Sequence, residues 1–176
     1  MIVYFFRHAS AGQPKISPKQ DEKRPLDEIG ERQSHDIGRA LAALEVEFDA
    51  IISSPLTRAM QTAEIAAREF GQQDKIAIHD AMRPEADYDQ FHELLAQYGN
   101  SNTIMVVGHN PSITEFLLHL LCGSEACNCI EFKKGAVVKV EIEDGKATLQ
   151  WLMTPKLASK LQAASTRSSR PKISRK

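Results

Sequence analysis

The chain has 176 residues, 42% apolar and 26% charged, with a formal net charge of −1, which suits one ordinary hydrophobic core and excludes disordered or fibrous classes. No stretch approaches the ~18 consecutive apolar residues of a membrane span. The apolar start Met1–Phe6 runs straight into Arg7 with no basic leader, so the expectation is a strand in a cytoplasmic protein, not a signal peptide.

In chain order, Ile2–Phe6 reads as a buried strand, and a polar, proline-containing loop follows from Ala9 to Pro25. Helical spacing then runs from Asp27, the N-cap, to Leu44, with Ile29, Ile37, Leu41 and Leu44 on one face. Ala50–Ser53 is a short strand. Ser54-Pro55 reads as a helix start, and that helix runs to Phe70 with Gly71 closing it. Lys75–His79 is a weaker strand, and 87–98 is helical, with Phe91, Leu94 and Leu95 inward. Thr103–Val107 is a buried strand that turns through Gly108-His109-Asn110-Pro111 into an apolar helix ending near Cys122. Ala136–Ile142 and Ala147–Met153 alternate around Asp144-Gly145, a hairpin signal. Beyond Leu161 no core-facing pattern remains.

This order predicts one three-layer α/β/α domain over residues 1–161, with a mostly parallel central sheet and a C-terminal hairpin. A basic, flexible tail is expected over 162–176. From Lys156 onward there are seven basic and no acidic residues, leaving 15 basic against 23 acidic before it. The tail is serine-rich and has no interleaved aromatics for base stacking, so no nucleic-acid partner is expected. Three cysteines, Cys122, Cys127 and Cys129, match no zinc spacing and read as reduced thiols.

In a sheet of this kind ligands gather at the carboxyl ends of the strands. Arg7-His8, then Ser53-Ser54 with Arg58, then His109-Asn110 fall at three such ends. An arginine fork matches phosphate oxygens two at a time. Arg58, in the first turn of a helix, would add that helix's N-terminal amides. A neutral histidine is a nucleophile near pH 7, and its neighbour can donate to phosphoryl oxygens. On residue chemistry alone this is an anion site. His35, His79, His92 and His119 lie away from it and receive no role; Ser10 and Gln13 are loop polarity as much as pocket lining.

Arg7-His8-Ala9, the block Ser53–Ala63 (Ser-Ser-Pro-Leu-Thr-Arg-Ala-Met-Gln-Thr-Ala), Gly108-His109-Asn110-Pro111 and the Pro25–Gln33 segment together resemble the histidine phosphatase (phosphoglycerate mutase-like) superfamily. The short length and the ending Trp151–Pro155 look most like its SixA-type phosphohistidine phosphatases. The resemblance implies that His8 is a nucleophile that becomes phosphorylated, and that Arg7, Arg58 and His109 bind and stabilise the phosphoryl group. No metal or cofactor is implied. Ala9 stands where many members have glycine. Larger members use a glutamate after the third strand, which makes Glu85 the candidate general acid, with Asp87 nearby. The implied partner is a phosphorylated histidine phosphotransfer protein or else a small phosphoester. A binding module without turnover is the alternative from another class.

Overall fold

The structure, a computed structural model, describes residues 1–123 and 130–168. Cys127, Cys129 and residues 169–176 of the expected tail lie outside the described residues. Four apolar runs become the parallel strands β1 (Ile2–Arg7), β2 (Ala50–Ser53), β3 (Ile76–Ile78) and β4 (Thr103–Gly108). The last two strands, β5 (Val137–Glu143) and β6 (Lys146–Met153), form the expected antiparallel hairpin. Its two turn residues, Asp144 and Gly145, both take positive φ, as a tight hairpin turn of matching twist requires. The sheet order is β3-β2-β4-β1-β5-β6, a mixed sheet that is mostly parallel.

Helices cover both faces because the central strands are apolar on both sides. Along β1 the side chains alternate. Val3 and Phe5 face a core built with Phe91, Leu94, Phe116 and Leu117. These come from α4 (Tyr88–Gln97) and α5 (Ser112–Cys122). Tyr4 and Phe6 face the other core, with Ile37, Leu41, Ala63 and Ala158, supplied by α2 (Glu28–Ala43), α3 (Thr57–Glu69) and α6 (Pro155–Ser168). A short helix α1 (Pro18–Glu22) lies in the loop after β1.

Four local expectations are corrected. The loop from Ala9 to Pro25 contains α1, whose five residues are too few for a periodic signal. Ile29 and Leu44 are exposed, and the inner stripe of α2 is Gly30, Ser34, Ile37, Gly38 and Leu41. Close approach sets that face: a Cβ on Gly30 would stand 1.9 Å from the Ser10 carbonyl oxygen, and one on Gly38 2.8 Å from that of Ala66. Helix α3 begins at Thr57 with Leu56 as N-cap, since Ser54 is engaged elsewhere. Helix α6, for which the sequence offered no pattern, runs across residue 161 to Ser168 and packs on α2.

Candidate active site

Parallel pairing brings the sequence-distant residues together. β4 lies between β1 and β2, with Arg7 opposite Gly108 and Ser53 opposite Val107. Just past the strand ends, His8 N–H donates to the Gly108 carbonyl at 2.9 Å and Ser54 N–H to that of Val107 at 2.9 Å. The His8 and His109 rings end 5.0 Å apart between centroids, with exposures of 7% and 1%.

The protons on these rings follow from their partners. His8 Nδ1 lies 2.7 Å from the Ala9 carbonyl oxygen. A carbonyl only accepts, so Nδ1 carries the proton and Nε2 keeps its lone pair. Burial is the main cause that pushes the His8 pKa down to about 3; the hydrogen bond to the Ala9 carbonyl, the next largest effect, opposes it, and Arg58, Arg7 and Lys134 add to the lowering. His109 is pushed down to about 2, by burial first and then by His8 and Arg58. Both imidazoles are neutral at pH 7. His109 Nε2 lies 2.8 Å from Ser54 Oγ. That oxygen accepts the Leu56 N–H at 3.3 Å and has no other acceptor for its own proton among the described residues, so the arrangement that satisfies most groups puts the Ser54 proton on Nε2 and the His109 proton on Nδ1.

The arginines are each held by one nitrogen. Arg7 Nη1 donates to the Phe132 carbonyl at 2.7 Å. Arg58, 6% exposed, donates from Nη1 to the Asp21 carbonyl at 2.9 Å and meets Asp21 Oδ2 at 3.3 Å. Burial lowers the pKa of both from the ordinary guanidinium value. Among the described residues, the buried side-chain nitrogens and oxygens without a hydrogen-bond partner are Arg7 Nε, Arg58 Nε and His109 Nδ1. All three are N–H donors. Unmet buried donors are rare and call for an explanation.

Several residues that the sequence did not single out build the surroundings. Asp21 also binds Arg24 Nε at 2.7 Å, and its pKa falls to about 2, first through that hydrogen bond and then through the Lys15 amide. Arg24 is buried, with Nη1 on the Ala11 carbonyl at 2.6 Å. Glu22 pairs with Arg83 at 3.1 Å, so α1 is tied both to Arg58 on α3 and to the segment after β3. Thr62 Oγ1 accepts the Ala9 N–H at 3.1 Å. Asp27, besides capping α2 through Gly30, takes Ser10 Oγ and Gly12 N–H at 2.8 Å each. An Asp three residues before an Arg at Asp21 and Arg24 was the available signal for this loop; its direction was not readable.

Glu85 is not brought into the buried cluster. Its side chain is 66% exposed, 3.7 Å from Arg83 Nη1. Asp87 forms the capping box of α4 with Gln90. Ser10 is engaged by Asp27, and Gln13 is exposed. His35 meets Glu69 on the surface between α2 and α3, and His119 stacks on Tyr88 at 4.0 Å.

Comparison with known proteins adds four findings. Residues 3–92 match the family model of the histidine phosphatase superfamily (branch 1). The chain is 26% identical over 158 residues to the phosphohistidine phosphatase SixA of Escherichia coli (strain K12), covering 88% of this chain and 94% of that protein. An uncharacterized protein of Picosynechococcus sp. (strain ATCC 27264 / PCC 7002 / PR-6) is 29% identical over 153 residues, with coverages of 85% and 89%. The fold superposes on a structure of the protein histidine phosphatase SixA complexed with tungstate, with a TM-score of 0.78 at 24% identity, over 89% of this chain and 98% of that one.

Proposed function

The chain belongs to the histidine phosphatase superfamily, and from that premise we propose that it removes a phosphoryl group through a covalent intermediate on His8, acting on phosphohistidine of a signalling phosphotransfer protein. The observation that carries the reading is the set of three unpartnered buried donors, on Arg7, Arg58 and His109, around a neutral His8 whose Nε2 lone pair is free. In this reading the phosphoryl oxygens take up these donors, and the resting cost of leaving them bare is recovered when the phosphoryl group arrives.

His8 Nε2 attacks phosphorus, and the bond from phosphorus to the substrate imidazole nitrogen breaks. That nitrogen keeps the electron pair and takes a proton. Arg7, Arg58 and His109 donate to the non-bridging oxygens as the charge redistributes. Water then attacks the phosphorus on His8, the N–P bond breaks, and inorganic phosphate leaves with the Nε2 lone pair restored. Glu85 is the proposed proton donor to the leaving group. Its exposed position suits a substrate whose labile N–P bond depends little on a strong acid. In this reading the protein works in the cytoplasm without metal or cofactor, residues 1–161 carry the chemistry, and the basic segment 162–176 stands outside it. The name of the Escherichia coli relative, a phosphohistidine phosphatase, supports the choice of substrate.

The test is phosphate release from a histidine-phosphorylated phosphotransfer domain with EDTA present, comparing the native protein with His8→Ala. Release by the native protein and at least a thousandfold less by the variant is expected. Equal release by the two would end the His8 mechanism. Activity only on small phosphoesters would replace the protein substrate with a metabolite.

A further inference from the structure

The loop between β1 and α2 sorts its charges by pairing. Its acids are paired: Asp21 is held by Arg24 and Arg58, and Glu22, though exposed, by Arg83. Its lysines are not. Lys15, Lys19 and Lys23 are exposed, and none of them forms an ion pair among the described residues. Between the first two stands Ile16, wholly exposed at 105%. One bare isoleucine would mean nothing by itself. Here it sits among three unpaired cations, on a loop tied directly to Arg58.

Another exposed lysine stands near the nucleophile. Ala136 N–H donates back to the Lys133 carbonyl at 3.0 Å, closing a turn with Gly135 at φ 70, and Gly135 N–H reaches the Arg7 and His8 carbonyls at 3.1 Å each. This turn fixes the exposed Lys134 beside His8. Before Lys156 the chain carries more acids than bases, so unpaired lysines on the loop that anchors Arg58 and on the turn beside His8 run against its own average. A small phosphoester would meet the buried donors and make no use of these outward lysines.

We propose that the outward face of this loop, Lys15, Ile16, Lys19 and Lys23, is a docking surface for an acidic protein surface that presents the phosphohistidine, with Ile16 entering an apolar recess on that partner. The proposal rests on the protein-substrate reading above. Complementary charge speeds encounter and orients the partner. The ion pairs of Asp21 and Glu22, together with the Lys15 N–H on Asp21 Oδ1 at 2.9 Å, hold the loop in place before the partner arrives, which lowers the ordering cost of binding.

The experiment compares native protein, the triple variant Lys15→Glu/Lys19→Glu/Lys23→Glu and Ile16→Ser on a histidine-phosphorylated phosphotransfer domain and on p-nitrophenyl phosphate, each across a salt series. For the triple variant, kcat/KM on the phosphoprotein should fall at least tenfold at low salt, with a much flatter salt dependence. Ile16→Ser should lower it several-fold at every salt concentration. Turnover of the small substrate should stay within twofold for both, which also shows that they fold. Phosphoprotein kinetics equal to native in both variants would overturn the docking surface alone. A native protein that turns over p-nitrophenyl phosphate but not the phosphoprotein would remove the protein-substrate reading and the docking surface with it.

Discussion

At the strand ends, His8, His109 and Arg58 are buried, and Arg7, Arg58 and His109 keep donors unpaired, whereas in the loop of residues 12–23 the acids are paired and the lysines stand bare in water. The first region is costly to maintain and rigid, because parallel strands hold its backbone. The second costs little, because its lysines stay in water and its acids are paired. Such a division suits an enzyme whose chemistry is constant and whose partner varies, since violations of good packing are expected where a fold does its work. Asp21 joins the two regions: its carboxylate and carbonyl grip Arg58 from a helix that belongs to the loop.

The comparison breaks most sharply when a member of the strand-end set is removed. His109→Ala should lower kcat by about 10²–10³-fold, the usual effect of deleting one preorganised donor to developing charge, and steady-state kinetics on the phosphoprotein will show it. A change below about threefold would mean that His109 only packs against His8. Cutting the link comes next. Asp21→Ala should reduce kcat/KM about tenfold and weaken inorganic phosphate binding, since Arg58 loses the anchor that aims its free nitrogens. Calorimetric titration with phosphate decides this point; tighter binding in the variant would show that Asp21 competes with the anion instead of positioning its receptor.

The smallest effect is on acid stability, and its sign follows from the two histidines. Their folded pKa values, about 3 and about 2, lie below the ordinary 6.5, so between these limits the unfolded chain binds protons that the folded chain refuses. The stability this pair contributes is therefore fully present above pH 6.5 and is lost as the pH drops through the window down to about 2. Tm should decline by several degrees from pH 7 to pH 5, and the slope should flatten in His8→Asn. Stability of the native protein that stayed level or rose on acidification would contradict the buried, neutral state of the pair.

By itself the sequence determined most of the layout. Runs such as Ile2–Phe6 and Thr103–Val107, short and bounded by polar or glycine residues, read as buried strands, their alternation with amphipathic segments implies a parallel sheet, and strand ends are where polar residues meet a ligand. The meeting of Arg7, His8, Arg58 and His109 at the strand ends was legible for that reason, as was the Asp144-Gly145 hairpin. Tertiary structure alone decided the rest. The outward turn of Ile29 depends on how closely Gly30 meets Ser10. The five residues of α1 are too short a span to show a period, and their helix is tied down by Arg24, Arg58 and Arg83. The depressed pKa values of His8 and His109, and the identity of the donors left free, arise from desolvation and from distances between residues as far apart as Arg7 and Phe132 or Ser54 and His109. Desolvation and hydrogen bonding act at a few ångströms in space, and separation along the chain does not encode them.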